Sequence, residues 1–261
     1  MNDTLTFLVP AFREERTIET LLERVLAVAT ETVGFQKEIV VCDDGSNDQT
    51  AERVRQVAHR DPRVRLVVHA KNQGKGAAVR TALASARGSW VVIQDADLEY
   101  DPQNIVPMLA LAKAGARAVY GSRFLASRHP QGMQRANWIC NKLLTATANV
   151  LFQMSITDEA TCYKLVRTDV LRSLDLESTG FELCPEITAK LGRRRVRIEE
   201  VPIHYSARSV AQGKKIRWTD GVKALSTLLR YRMTPDRAPA LLASSPHRAR
   251  EAQRSTLLFD L

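Results

Sequence analysis

The 261-residue chain is 44% apolar and 26% charged, which suits a globular protein with one large core or two small ones. Its formal net charge of +9 points to an anionic partner: nucleic acid, an anionic membrane surface or a phosphorylated substrate. Aromatic content of only 6% argues against nucleic acid held by stacking on exposed rings, so no nucleic-acid partner is expected.

Leu5 to Val9 reads as a short apolar strand stopped by Pro10. In "TIETLLERVLAVATETVG", Ile18, Leu21, Leu22, Val25 and Leu26 share a helical face, and Gly34 is the expected stop. "EIVVCDDGS" is a second strand ending in acids, "QTAERVRQVAHR" a helix, and "VRLVVH" a third strand. "GKGAAVRTALASARG" is a helix entered through glycines, and "WVVIQDAD" a fourth strand. Strands that are continuously apolar and alternate with helices predict an α/β fold: a mostly parallel sheet covered on both faces. "NIVPMLALAKAG" is then a helix, "ARAVYGSRF" a strand, and "RANWICNKLLTATANVLFQM" a long helix. "CYKLVR" is a strand or hairpin arm, "TGFELCPEITAKLG" contains a helix, and "VRIEEVPIHY" is a strand. A basic loop, "SARSVAQGKKIRW", precedes a last helix over "DGVKALSTLLRYRM". Its stripe of Val222, Leu225, Leu229 and Met233, with Lys223, Arg230 and Arg232, suits either core packing or an anionic bilayer. Three segments are expected: 1–205 as the main domain, 206–233 as basic loop and amphipathic helix, and 234–261 as a mobile tail.

Cys42, Cys140, Cys162 and Cys184 contain no Cys-x-x-Cys pair, so free thiols in a reducing cytoplasm are expected rather than zinc. The opening "MNDTLTFLVPAF" lacks the pattern of a signal peptide. No window reaches the roughly 18 apolar residues of a membrane span, so any membrane contact is expected to be peripheral.

Ligands of such sheets bind at the carboxyl ends of the strands. "PAFREE", "DDGSND", "HAKNQGKG" and "DADLE" all fall there, and their convergence carries more weight than any one motif. Asp95 and Asp97 suit a hard divalent cation, Glu99 can add a third oxygen, and Ala96 leaves room for a ligand. Asp43 and Asp44 are placed to hydrogen-bond a ribose or base edge. Lys75 and the amides of the following helix are placed to meet a phosphate. The spacing of a nucleoside-triphosphatase phosphate loop is absent, since Gly76 and Ala77 follow Lys75.

"VPAFREE", "VVCDDGSNDQT", "KNQGKGAAVRTAL", "QDADLEYDP", "YGSRF", "GFELCPEI" and "VPIHYSARSVAQGKKIRWTDG" together resemble the family 2 glycosyltransferases of the GT-A fold. They look most like the polyprenyl-phosphate sugar synthases, and the likeness runs in order from about residue 4 to about residue 232. The resemblance implies a nucleoside held by Pro10, Phe12, Glu14 and Asp43, and Asp95 and Asp97 as the metal and nucleotide-sugar motif. Relatives often carry Gln where Glu99 stands. Arg123, Arg135 and Arg208 match basic residues near the transferred diphosphate and the acceptor phosphate. Lys214 and Lys215 fall in a segment that covers the site.

The expected activity is an inverting transfer from a GDP- or UDP-sugar, with Mg²⁺ or Mn²⁺, to a polyprenyl phosphate. The expected place is the cytoplasmic face of a membrane. An anionic acceptor needs positive charge rather than a base, and Arg193, Arg194, Arg195, Arg197, Arg208, Lys214, Lys215 and Arg217 crowd one region. The alternative is a soluble glycosyltransferase acting on a hydroxyl, with Asp158, Glu182 or Glu186 as base.

Overall fold

A computed structural model describes residues 3–207 and 218–234. Among them, β1 (Asp3–Ala11), β2 (Phe35–Asp43), β3 (Val64–Val68), β4 (Trp90–Ile93), β5 (Ala118–Ser122), β6 (Lys164–Arg167) and β7 (Ile198–Pro202) form one sheet. The order is β3-β2-β1-β4-β6-β5-β7. The β1–β2, β1–β4, β2–β3 and β5–β7 pairs are parallel. Only β6 runs against both its neighbours. Phe7, Leu8, Val40, Val41, Val91, Val92 and Leu165 are fully buried along the centre, as expected for strands covered on both faces.

Pro10 does not end β1. The strand continues to Ala11, with Pro10 in register with Cys42. The Leu8 carbonyl accepts from Gln94 on the β4 side, so Pro10, two residues on, faces that side too. The last β1–β4 partners are Leu8 and Ile93, so the missing proline N–H falls where no ladder bond is needed.

The first helix is also shorter than the pattern predicts. α1 (Ile18–Leu26) stops early, and a separate 3-10 turn over Thr30–Val33 closes at Gly34, whose φ is 76°. The cause lies in β2: the buried Lys37 ammonium donates to the carbonyls of Leu26 and Val28 and so takes the helix end.

α2 (Thr50–Arg60), α3 (Lys75–Ser85), α4 (Ile105–Lys113), α5 (Arg123–Ala126) and α7 (Thr168–Ser173) complete the covering of the sheet. α6 (Arg135–Phe152), α8 (Leu183–Arg193) and α9 (Trp218–Met233) build a second apolar cluster from Leu144, Ala148, Phe152, Ala189, Ala224, Leu228 and Tyr231. Of the stripe on α9, Leu225 packs partly against this cluster. Val222, Leu229 and Met233 are 58%, 43% and 79% exposed, while Ala224, Leu228 and Tyr231 face the core. Two of the clustered arginines are structural: Arg193 donates to the Tyr231 carbonyl and Arg194 to the carbonyl and hydroxyl of Ser173. Both meet carbonyls at helix C-termini, where cations are favoured.

Glu186 fastens α9 to α8. Its buried carboxylate accepts from Glu177 N, Ser178 N and Tyr231 Oη, and pairs with Lys190 at 2.6 Å. Burial alone would raise this carboxyl, but Lys190 and the two amides hold it below the ordinary 4.5. A depressed carboxyl stabilises the fold above its unfolded value and loses that contribution as pH falls through the lower folded value. Glu186→Gln is expected to be less stable at pH 7, with the gap narrowing well below pH 4.5. Urea midpoints at pH 7 and pH 3 check this, and a gap that does not change with pH overturns it.

Candidate active site

The carboxyl ends of β1, β2, β4 and β5 open on a cavity of about 580 Å³. Its wall includes Pro10, Phe12, Glu14, Asp44, Lys75, Asp95, Ala96, Asp97, Glu99 and Arg123, so the polar loops do meet. Asp43 stands just behind them, 1% exposed; its Oδ2 accepts from Ser46 N, and Oδ1 is buried with no partner. An orphaned buried acceptor is the kind of atom a base-edge N–H satisfies. Arg135 is not on this wall: it sits exposed at the first turn of α6, although Met133, Ala136 and Asn137 around it do line the cavity. Arg208 and Lys214 lie outside the described residues.

Two residues do different work from that expected. Asp44 shapes the loop into α3: Oδ1 pairs with His69 Nδ1 at 2.7 Å and accepts from Gln73 N, while Oδ2 accepts from Gly74 N. Lys75 is committed to Asp95 at 2.7 Å and also donates to Cys162 Sγ. Burial alone would depress the Lys75 ammonium, but the Asp95 charge outweighs it and holds the lysine well above its usual value. The helix N-terminus is also partly taken by the backbone at Thr179. Ala77 N donates to Thr179 O, and a Cβ on Gly74, at φ 99°, would stand 2.4 Å from the same oxygen. The glycines in "NQGKG" thus serve a close backbone approach.

Asp97 Oδ1 accepts from Glu99 N across a tight turn in which Leu98 takes φ 62°. Burial and the nearby Glu99 carboxylate push the Tyr205 phenol far up. Among the described residues no three carboxylate, imidazole or thiol groups converge well enough to hold a metal by themselves. The expected set of Asp95, Asp97 and Glu99 is therefore not a ready cage. Asp95 and Asp97 still present hard oxygen donors to the cavity, and Mg²⁺ is commonly held by one or two carboxylates plus substrate phosphates. The residues fit a divalent cation on those terms.

Arg123, at the start of α5, forms a buried fork with Asp158: Nε and Nη2 each bond at 2.7 Å, and the Arg123 amide adds a third bond. The Tyr205 ring lies 5.2 Å from its guanidinium. Tyr100 and Tyr205, joined by a bridge with rings 5.3 Å apart, divide this cavity from a second one of about 790 Å³ lined by Arg24, His129 and His204. Both tyrosines fall inside motifs quoted from the sequence, Tyr100 in "QDADLEYDP" and Tyr205 in "VPIHYSARSVAQGKKIRWTDG", though neither is a candidate site residue there. Of the three proposed bases, Asp158 is fully buried in the fork, Glu186 is fully buried under α9, and Glu182 accepts from Gly180 N away from the cavity wall.

Residues 6–175 match the family described as Glycosyl transferase family 2. A dolichyl-phosphate beta-glucosyltransferase of Trichomonas vaginalis is 31% identical over 77% of this chain, and a dolichol-phosphate mannosyltransferase of Pyrococcus furiosus is 26% identical over 80%. The chain spans 63% and 58% of the lengths of these two proteins. A dolichol-phosphate mannosyltransferase of Saccharomyces cerevisiae is 27% identical over 82% of both chains. Among solved structures, glucosyl-3-phosphoglycerate synthase from Mycobacterium tuberculosis with UDP shares the fold, with a TM-score of 0.68 over 90% of this chain and 82% of that one at 21% identity.

Proposed function

The chain belongs to glycosyl transferase family 2 and has the GT-A fold, and on that premise we propose an inverting transfer of a sugar from a GDP- or UDP-sugar to a polyprenyl phosphate. Relatives named for dolichyl phosphate support the acceptor class. The observation that carries it is the spent state of Asp158 and Glu186, two of the three candidate bases. A hydroxyl nucleophile has a proton to lose, whereas a lipid phosphate is already an anion and needs cationic surroundings. Asp158 is sealed into its fork and has no face toward an incoming hydroxyl.

In this reading the nucleoside lies over β1 and β2, with the Asp43 Oδ1 atom as acceptor for the base edge. Asp95 and Asp97 would hold a divalent cation, which supplies Lewis-acid neutralisation of the leaving diphosphate. Lys75 orients Asp95. Arg123 brings positive charge to the far wall of the cavity. No helix among the described residues is long and apolar enough to cross a membrane. A peripheral approach to the lipid acceptor, over the exposed face of α9, is consistent with Val222, Leu229 and Met233 standing in solvent beside Arg230 and Arg232.

The test is a turnover assay with GDP-mannose or UDP-glucose, Mg²⁺ or Mn²⁺, and a short polyprenyl phosphate. Release of nucleoside diphosphate is expected to rise at least about tenfold on adding the lipid phosphate, because the acceptor supplies the nucleophile. Equal release without it, or with a polyprenyl alcohol, removes the acceptor assignment.

A further inference from the structure

One carboxyl group of the cavity wall has no part in the arrangement above. Glu159 is fully buried, lines the cavity, and both of its carboxyl oxygens lack a hydrogen-bond partner. Its polar neighbours Thr188 and Lys164 are each bonded to other groups. Thr188 Oγ1 is hydrogen-bonded to the Cys184 carbonyl, to Tyr120 Oη and to Lys164 Nζ. The Lys164 ammonium is occupied by Thr188, by the Glu159 carbonyl at 2.6 Å and by the Tyr120 ring at 3.7 Å. Burial raises the Glu159 carboxyl, which favours its neutral form, able both to donate and to accept.

An unsatisfied carboxyl costs the fold stability unless something completes it. Its position says what that is. β6 runs antiparallel to β4, so the segment 158–163 that leads into β6 arrives at the carboxyl end of β4, beside Asp95 and Asp97. Lys75 spans the gap, touching Asp95 on one side and Cys162 on the other. Along the sheet edge the order is then β2 and β1 for the nucleoside, β4 for the diphosphate, and the β6 entry for whatever is attached to the diphosphate. We propose that Glu159 receives a hydroxyl of the donor sugar and thereby selects which sugar is transferred. The inference rests on reading this cavity as a nucleotide-sugar site.

Affinities of UDP, UDP-glucose, GDP and GDP-mannose, each with Mn²⁺, are compared by calorimetry for the native protein, Glu159→Leu and Glu159→Gln. For the nucleotide pair the native protein binds, Glu159→Leu is expected to lose about tenfold in affinity for the nucleotide-sugar and to keep the bare nucleotide within about twofold. Glu159→Gln, which keeps a donor and an acceptor, is expected to lose about threefold and carries the comparison if the leucine variant does not fold. The melting temperature of ligand-free Glu159→Leu is expected to match or exceed the native value, because an orphaned polar group has been removed. Unchanged discrimination between nucleotide and nucleotide-sugar in the folded variants overturns the inference while leaving the cavity assignment standing. If the native protein binds none of the four, the cavity assignment falls and Glu159's role falls with it.

Discussion

Asp97→Asn is expected to lower turnover by about 10²–10³-fold with little change in stability. Asparagine keeps an Oδ1 acceptor for the Glu99 amide, so the turn through Leu98 holds. On the proposed reading, what it loses is one of two negative charges for a divalent cation beside the diphosphate. Asp95→Asn is a different experiment, because Asp95 is the partner of Lys75. Removing its charge leaves a largely buried ammonium uncompensated, and a loss of about 2 kcal/mol of stability should accompany the loss of activity. Rates of nucleoside diphosphate release, paired with melting curves with and without Mn²⁺, separate the two cases. If Asp97→Asn retains both its rate and its metal-dependent thermal shift, Asp97 is not a metal ligand. Equal stability of the two variants would mean that Lys75 does not depend on Asp95.

The sheet could be read from the sequence because buried strands such as Val91 to Ile93 leave an unbroken apolar run, and a parallel order follows from helices between them. The antiparallel β6 was harder. Its run, "YKLV", is as apolar as a central parallel strand apart from Lys164, and direction leaves no trace in composition. Lys164 is 1% exposed, held by the Glu159 carbonyl and Thr188 Oγ1. The stop of α1 was illegible for a related reason: the groups that end the helix meet Lys37, a side chain from another element.

The same division runs through the active site. Which loops gather at the cavity followed from strand polarity alone. Which charge each residue spends where did not. Asp44, Lys75 and Glu186 carry the residue types of ligand-binding groups, but each is committed to a partner about 30, 20 or 45 positions away in the chain. Glu159 is the converse, an acid whose two carboxyl oxygens are buried without a hydrogen-bond partner.

Arg123→Ala is expected to cost about 3–5 kcal/mol of folding stability, more than any change on the cavity rim. The argument is one of asymmetry. Asp158 is fully buried, and the fork supplies its two strongest bonds, leaving it only the backbone amide at position 123. Glu200 adds a second acid nearby, already raised by burial, which accepts from the amides of Thr157 and Asp158. Deleting the guanidinium therefore strands negative charge in a place that water does not reach. Deleting both members should cost less than deleting the arginine alone, so Arg123→Met with Asp158→Leu is expected to be more stable than Arg123→Ala. Lysine at 123 keeps the charge but not the fork, and an intermediate loss is expected. Urea unfolding of the three variants measures these terms. A loss below about 0.5 kcal/mol for Arg123→Ala would show that the pair holds nothing. The fork also bears on function, because it occupies Nε and Nη2 and leaves Nη1 outside it. An arginine fixed at two nitrogens is a rigid cation on the cavity wall, and rigidity is what an anionic acceptor requires of it. If so, Arg123→Lys should lose more in turnover than its stability loss explains, and lowering the assay temperature should restore the fold without restoring the rate.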